Sequence, residues 1–195
     1  MDIAVFGGAF DPVHLGHCGI IDHLLNDDSF DNVCLVPTGV PVFHKDFLFP
    51  AEKRLHMLNI LYKDHPRVHI IDYEINKATL SYMKETLNYV DQKFYQARVT
   101  LVIGYDQFIK FHDWKFYQDI LINYQLLVIF RHGIGVSKSD RHIQPELTQF
   151  QQHIRFSDCQ VPDISSSNIR EQIKQNQDIS SLVHNYILPH IKLDC

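Results

Sequence analysis

Two histidines, His14 and His17, stand three residues apart around Gly16, in the stretch VFGGAFDPVHLGHCGII that spans residues 5–21. A three-residue step puts both imidazoles on one side of a helical turn. Ahead of them, Gly7 and Gly8 close what reads as a strand. Glycines let the backbone approach a ligand closely, and a helix start offers unpaired N–H groups with a partial positive charge. Gly7, Gly8, His14, Gly16 and His17 are therefore candidates for holding an anion such as a phosphate. For an isolated pair, histidines that only cap or pack a helix would be the commoner case. The glycines and proline around these two favour the anion pocket.

A second such start lies in ISSSNIR, residues 164–170. Ser165 and Ser166 bring hydroxyl and N–H donors to a helix N-terminus, and Arg170 follows one turn later, a set that suits another part of a polyphosphate. Without that context, Ser165 is an N-cap and Arg170 a solvated helix residue. Trp114, the sole tryptophan, offers an indole face for stacking on a flat ring. A core position is the ordinary alternative for it, but the polar neighbours His112, Asp113 and Lys115 lean toward a pocket rim. Asp106 follows Gly104 at the end of an apolar run, where open α/β sheets bind their ligands. Asp11 and Tyr82 read as loop-shaping residues, and Lys45 as either a loop charge or a phosphate partner.

These side chains need a scaffold, and the apolar pattern supplies one. Runs at 3–6, 32–37 (NVCLVP), 67–71, 99–104 (VTLVIG) and 124–130 (YQLLVIF) read as strands. Between them come helical stripes. Ile20, Ile21, Leu24 and Leu25 form one, in a helix read from Cys18; Leu55, Met57, Leu58 and Leu61 form another, begun near Pro50. Met83, Leu87, Val90 and Phe94 form a third, and Ile169 and Ile173 follow the serine-rich cap. Alternating strands and helices imply an α/β fold, Rossmann-like, with a mostly parallel sheet covered by helices on both faces. Residues 137–152 show no clear period.

Length and composition bound the rest. A chain of 195 residues has material for one sizeable core, so residues 1–195 read as a single domain. A net charge of −5 gives no basic field for long nucleic acid or an anionic membrane. No apolar run approaches the roughly 20 residues of a membrane span. The four cysteines are widely spaced and no signal peptide precedes the first strand, which suggests reduced thiols in the cytoplasm. The 13 histidines are scattered, so a dedicated metal centre has little support.

The segment GGAFDPVHLGH resembles the G-x-F-x-P-x-H-x-G-H signature of the nucleotidyltransferase superfamily. That resemblance implies that His14 and His17 lie against the phosphates of ATP and that Phe10, with Gly7, Gly8 and Gly16, belongs to the ATP-binding site. ISSSNIR resembles the family's I-S-S-T-x-I-R motif, with Ser167 where threonine is commoner. It implies that Ile164, Ser165, Ser166 and Arg170 hold the β- and γ-phosphates. Further matches resemble bacterial nicotinate-nucleotide adenylyltransferases: VPTGVPVFHK, AEKRLHML, ATLSYMKETL, IGYDQFIKFHDW and FRHG. They imply a mononucleotide site built from His44, Lys45, Ser81, Tyr82, Met83, Gly104, Asp106, Trp114 and Arg131. Leu80 and Met83 depart from the family's proline and threonine, which leaves the choice between nicotinate and nicotinamide open at this point.

The activity so implied is transfer of the adenylyl group of ATP to nicotinate mononucleotide, giving deamido-NAD and pyrophosphate. His14, His17, Lys45 and Arg170 would be catalytic. Mg²⁺ would be held mainly by substrate phosphates, with no protein ligand named. ATP and a pyridine mononucleotide would be the partners. A phosphopantetheine adenylyltransferase shares both phosphate motifs but lacks the Asp106-to-Trp114 pattern, and a catalytically idle nucleotide sensor would release no pyrophosphate with any acceptor.

Overall fold

The computed structural model describes residues 1–40, 47–77, 79–131, 142–159, 161–162 and 164–191, with Arg131 described through its backbone alone. Strand β1 (Asp2–Gly8) runs through the middle of the sheet. Its side chains alternate between two cores. Ala4 and Phe6 join one cluster, and Ile3 and Val5 the other. Burial on both faces is why the strand reads as a continuous apolar run.

Strands β2 (Asn32–Pro37) and β4 (Arg98–Gly104) flank β1, both parallel to it. Strand β3 (Val68–Ile70) lies outside β2; β5 (Gln125–Arg131) and β6 (Ile154–Cys159) continue beyond β4. The order is β3-β2-β1-β4-β5-β6, and every pairing is parallel. Parallel strands require crossovers, and the helices provide them. Helices α1 (Leu15–Leu25) and α2 (Ala51–Tyr62) bury Ile20, Ile21, Leu24, Met57 and Leu58 in the first core. Helices α3 (Met83–Lys93), α4 (Tyr105–Phe108) and α5 (Tyr117–Asn123) bury Leu87, Val90, Phe108, Ile120 and Leu121 in the second. Helix α6 (Ser166–Lys174) returns to the first core through Ile169.

The chain moves outward from β1 to β3 and then comes back to place β4 on the other side of β1. The connections leaving β1 and β4 therefore diverge to opposite faces, and a crevice opens between them, as open α/β sheets provide at such a switch point. Beyond α6, Ile179, Val183, Ile187 and Ile191 pack into the first core. Leu15 N–H donates to Leu182 O at 3.0 Å, so this tail holds the start of α1.

The expected elements form, with four differences, the first being that α4 and α5, between β4 and β5, have no counterpart among the expected stripes. Helix α1 begins three residues before the apolar stripe at Cys18, because a histidine caps it. Strand β6 has no counterpart in the expectation: only Ile154 and Cys159 of it are buried, as befits an edge strand. Within the unpatterned stretch, Pro145–His153 winds as 3-10 turns that bury Leu147, and 137–141 lie outside the described residues. Among the described residues no helix is long and apolar enough to cross a membrane.

Candidate active site

The loop after β1 is built around buried groups. Phe10 adopts a left-handed backbone (φ 46°), uncommon for a bulky residue. Its ring is fully enclosed, 4.9 Å from the His17 ring and 5.7 Å from Phe6. Phe10 thus supports His17 from below.

His14 is the N-cap of α1 and is almost wholly buried. His17 N–H donates to His14 Nδ1 at 3.3 Å, while His14 N–H donates to His17 Nδ1 at 3.3 Å. This is a capping box in which two imidazoles replace the usual hydroxyl and carboxylate. The rings stack with centroids 3.7 Å apart. An Nδ1 that accepts a hydrogen bond carries no proton, so in both neutral rings the hydrogen is assigned to Nε2. The caps therefore fix the tautomer and make Nε2–H the donor each ring can present to an anion. A Cβ on Gly16 would lie 3.0 Å from His14 Nδ1, so glycine gives the rings the room they need.

The second motif comes to the first. Arg170 Nη1 donates to Asp11 O at 3.1 Å and stands 3.6 Å from Asp11 Oδ2; Nη2 donates to Ser167 Oγ at 2.9 Å. Ser166 Oγ donates to Pro12 O at 3.4 Å, and Ser165 caps α6 by accepting from Ser167 N–H. Ile164 is buried in the first core. Asp11, with no exposed surface, also accepts Leu48 N–H and Phe49 N–H, each at 2.9 Å. One carboxylate thus joins the histidine loop, the loop before α2 and the arginine of α6.

Arg54, on α2, does similar work. Only 1% exposed, it donates to Ala9 O (2.6 Å), Thr38 O (2.7 Å) and Phe49 O (3.2 Å), tying together the loops after β1 and β2. Its guanidinium also lies over the Phe47 ring at 4.1 Å. Burial pushes its pKa down from the ordinary arginine value, and Asp11 opposes that shift.

A cavity of about 580 Å³ opens over the carboxyl ends of β1 and β4. Its lining brings Gly7, Gly8 and His17 together with Ser81, Tyr82, Met83, Gly104, Asp106 and Trp114. His14, Gly16, Ser165, Ser166 and Arg170 stand off its described wall, beside His17. Met83 packs against the glycine turn: a Cβ on Gly7 would lie 2.8 Å from its Cε. At Gly104 a Cβ would collide with the Asp106 carboxylate, so that glycine lets Asp106 fold back over the strand end. Trp114 is half-buried, 5.1 Å from Phe111. Ser81 Oγ is buried and has no hydrogen-bond partner among the described residues. Arg131 ends β5 next to β4 in the sheet, and His44 and Lys45 lie outside the described residues.

Glu74 lines the same cavity, and its role was not visible in the sequence. Thr86 O–H donates to its Oε1 at 2.6 Å, and burial raises its carboxyl pKa against that bond. The clamp made by Arg54 had one readable signal: a charged residue at 54, in step with Met57 and Leu58 on the apolar stripe of α2.

Residues 5–172 match the cytidylyltransferase-like family model. The chain is 31% identical over 192 residues to a protein of Caldicellulosiruptor bescii named "Probable nicotinate-nucleotide adenylyltransferase", covering 98% of this chain and 96% of that one. A Legionella pneumophila protein of the same name is 32% identical, covering 97% and 96%. The chain belongs to the nicotinate-nucleotide adenylyltransferase family. A solved Plasmodium falciparum nicotinic acid mononucleotide adenylyltransferase, complexed with NaAD, superposes with a TM-score of 0.75 at 16% identity, covering 97% of this chain and 94% of that one. That likeness extends the family's fold, a doubly wound parallel sheet, to very distant sequences. At the two positions where the sequence departs from the motif it resembles, Leu80 is exposed and Met83 brings a thioether to the cavity wall.

Proposed function

We propose that this chain transfers the adenylyl group of ATP to nicotinate mononucleotide, releasing pyrophosphate and forming deamido-NAD. The observation that carries the reading is the meeting of two helix starts at one loop: α1 with its histidine pair and α6 with Arg170, joined through Asp11 beside a cavity that runs on to Trp114. Family membership supports it. So does the NaAD held by the Plasmodium falciparum enzyme of the same fold.

The acceptor phosphate, with a second pKa of about 6, is largely dianionic at neutral pH and attacks the α-phosphorus without a general base. The chain's task is to align two anions and stabilise charge on the leaving pyrophosphate. His14 and His17 would donate through Nε2–H, and Arg170 and Lys45 would add charge. Gly7, Gly8 and Gly16 would let the phosphates approach the backbone, with Ile164, Ser165 and Ser166 presenting the start of α6. Trp114 would stack on the pyridine ring, with Ser81, Tyr82, Met83, Gly104, Asp106, His44 and Arg131 around the mononucleotide.

Mg²⁺ would enter on the phosphates of ATP, since it ordinarily keeps water and phosphate oxygens as ligands. Among the described residues no three His, Cys, Asp or Glu side chains gather into a cage. The ion's contribution would be charge neutralisation. Three free thiols, Cys18, Cys34 and Cys159, support a reducing cytoplasmic setting.

The test is pyrophosphate release with ATP and, in parallel, nicotinate mononucleotide, nicotinamide mononucleotide or phosphopantetheine. Turnover with a pyridine mononucleotide and none with phosphopantetheine is expected. Turnover with phosphopantetheine alone would overturn the reading.

A further inference from the structure

The described wall of the cavity holds three carboxylates, Glu74, Asp106 and Asp113, but only one Lys or Arg side chain, Lys115. Lys115 lies at the exposed rim, yet its position is defined. Its ammonium sits 4.3 Å from the centroid of Tyr82 and 5.0 Å from that of Phe116. Those two rings meet edge to face at 5.9 Å. Phe116 takes a left-handed backbone (φ 67°) in this arrangement, a conformation a bulky residue adopts only when its surroundings hold it there.

The ammonium is also available. Glu85, the carboxylate whose charge it feels, is already bound by Lys77, and that pair holds the Glu85 carboxyl below its usual range. Lys115 forms no ion pair among the described residues. A cation held over aromatic faces keeps part of its charge unneutralised and directed at the space in front of it.

Position then says which anion it would meet. His14, His17 and Arg170 stand on the face of the sheet covered by α1 and α6. Lys115 follows Trp114 and touches Tyr82 at the start of α3, on the opposite face. An anion reaching Lys115 therefore lies beside Trp114 and Tyr82, on the other side of the sheet from the elements that carry the two phosphate motifs. Ser81, whose buried hydroxyl has no partner among the described residues, lines the same cavity and directly precedes Tyr82.

We propose that Lys115 is the specificity-determining residue for the acceptor: its ammonium pairs with the carboxylate on the pyridine ring, beside a hydrogen bond from Ser81, and so favours nicotinate over nicotinamide mononucleotide. This rests on the function proposed above and deepens it. The two acceptors have nearly the same shape and share the ring, ribose and phosphate. They differ in one charge. Ser81 O–H can bond the acid or the amide, so it does not discriminate, whereas an ammonium rewards the acid. Without Lys115, the described wall would turn three carboxylates and no Lys or Arg side chain toward a further negative group, which disfavours it.

The experiment compares kcat/KM for both mononucleotides, at saturating ATP, in the wild type, Lys115→Met and Lys115→Arg. Methionine keeps an unbranched stem over Tyr82 and removes the charge; Lys115→Gln gives the same test if the methionine variant folds poorly. The nicotinate value should fall about tenfold in Lys115→Met, as for one charge-assisted bond at a partly open rim, with a change under about threefold for nicotinamide. Arginine should restore most of the preference, and the KM for ATP should stay unchanged throughout. Equal losses for both acceptors would overturn the proposal, since the lysine would then serve a group they share, and so would a nicotinate loss under about threefold. A folded wild type that turns over neither mononucleotide would sink the proposed function itself, a result distinct from either.

Discussion

Replacing Arg54 by methionine tests whether the site is held by a buried charge. Arg54 gives two short bonds, 2.6 Å to Ala9 O and 2.7 Å to Thr38 O, and a longer one of 3.2 Å to Phe49 O. Bonds from a charged donor contribute about 1.5–3 kcal/mol each, and the longer one less. Removing a buried charge also relieves some of its desolvation cost. The balance is a loss of about 3 kcal/mol, or a fall of roughly 6–12 °C in Tm for a chain of this size. The freed carbonyls matter beyond stability. Ala9 O lies between the glycine turn and Phe10, and Thr38 N–H donates to Gly8 O at 2.9 Å. Slack there reaches His17 directly, and a displacement of about 1 Å would lower kcat about 100-fold. The Arg54→Lys variant should perform nearly as badly, because a single ammonium does not span three carbonyls. Melting followed by circular dichroism, with steady-state kinetics on the same samples, checks both effects. If the methionine variant melts within about 2 °C of the wild type and keeps its kcat, the clamp argument is wrong.

Three further outcomes are expected. His17→Ala should lower kcat about 100-fold or more with little change in far-UV circular dichroism, as for loss of one positioned donor, and an unchanged kcat would remove His17 from the chemistry. Trp114→Ala should raise the mononucleotide KM about tenfold and leave that of ATP nearly unaltered, since stacking on one ring is lost; equal effects on both substrates in titration would dispose of the stacking role. Burial pushes the Cys34 thiol up to about 12 and the Cys159 thiol up to about 11. Both therefore stay protonated at about pH 8, and Ellman's reagent should label their peptides only after denaturant is added, as read by mass spectrometry. Prompt labelling of either in the native protein would contradict the packing described.

Much of this architecture was legible because the chain uses ordinary signals. Runs such as NVCLVP and VTLVIG are apolar on both faces, and a strand flanked by two others has no alternative but to read that way. The serine-rich start of α6 announced itself as a cap. What stayed hidden depended on contacts between distant segments. Capping by a histidine was one reading of the local pattern, but not its form, in which His14 caps α1 by trading bonds with His17. Strand β6 has too few buried positions to alternate convincingly, and it is a strand because β5 offers it an edge. Asp11 read as a loop-shaping residue, but its partners, like those of Arg54, at 9, 38, 48, 49 and 170, come together only through the sheet. Glu74 and Lys115 belong to the same group, being wall residues of a cavity that no single segment encloses.

The alternation along β1 has a consequence for how damage would spread. The histidine pair and Arg170 rest on the cluster containing Ile21, Met57 and Ile169, whereas Trp114 and α3 rest on the cluster containing Leu87, Phe108 and Ile120. The sheet itself is the partition between them. A void opened beneath α3 should therefore blunt recognition of one ligand before the other, and drift in acceptor choice has a compartment of its own in which to proceed while the triphosphate cradle stays taut.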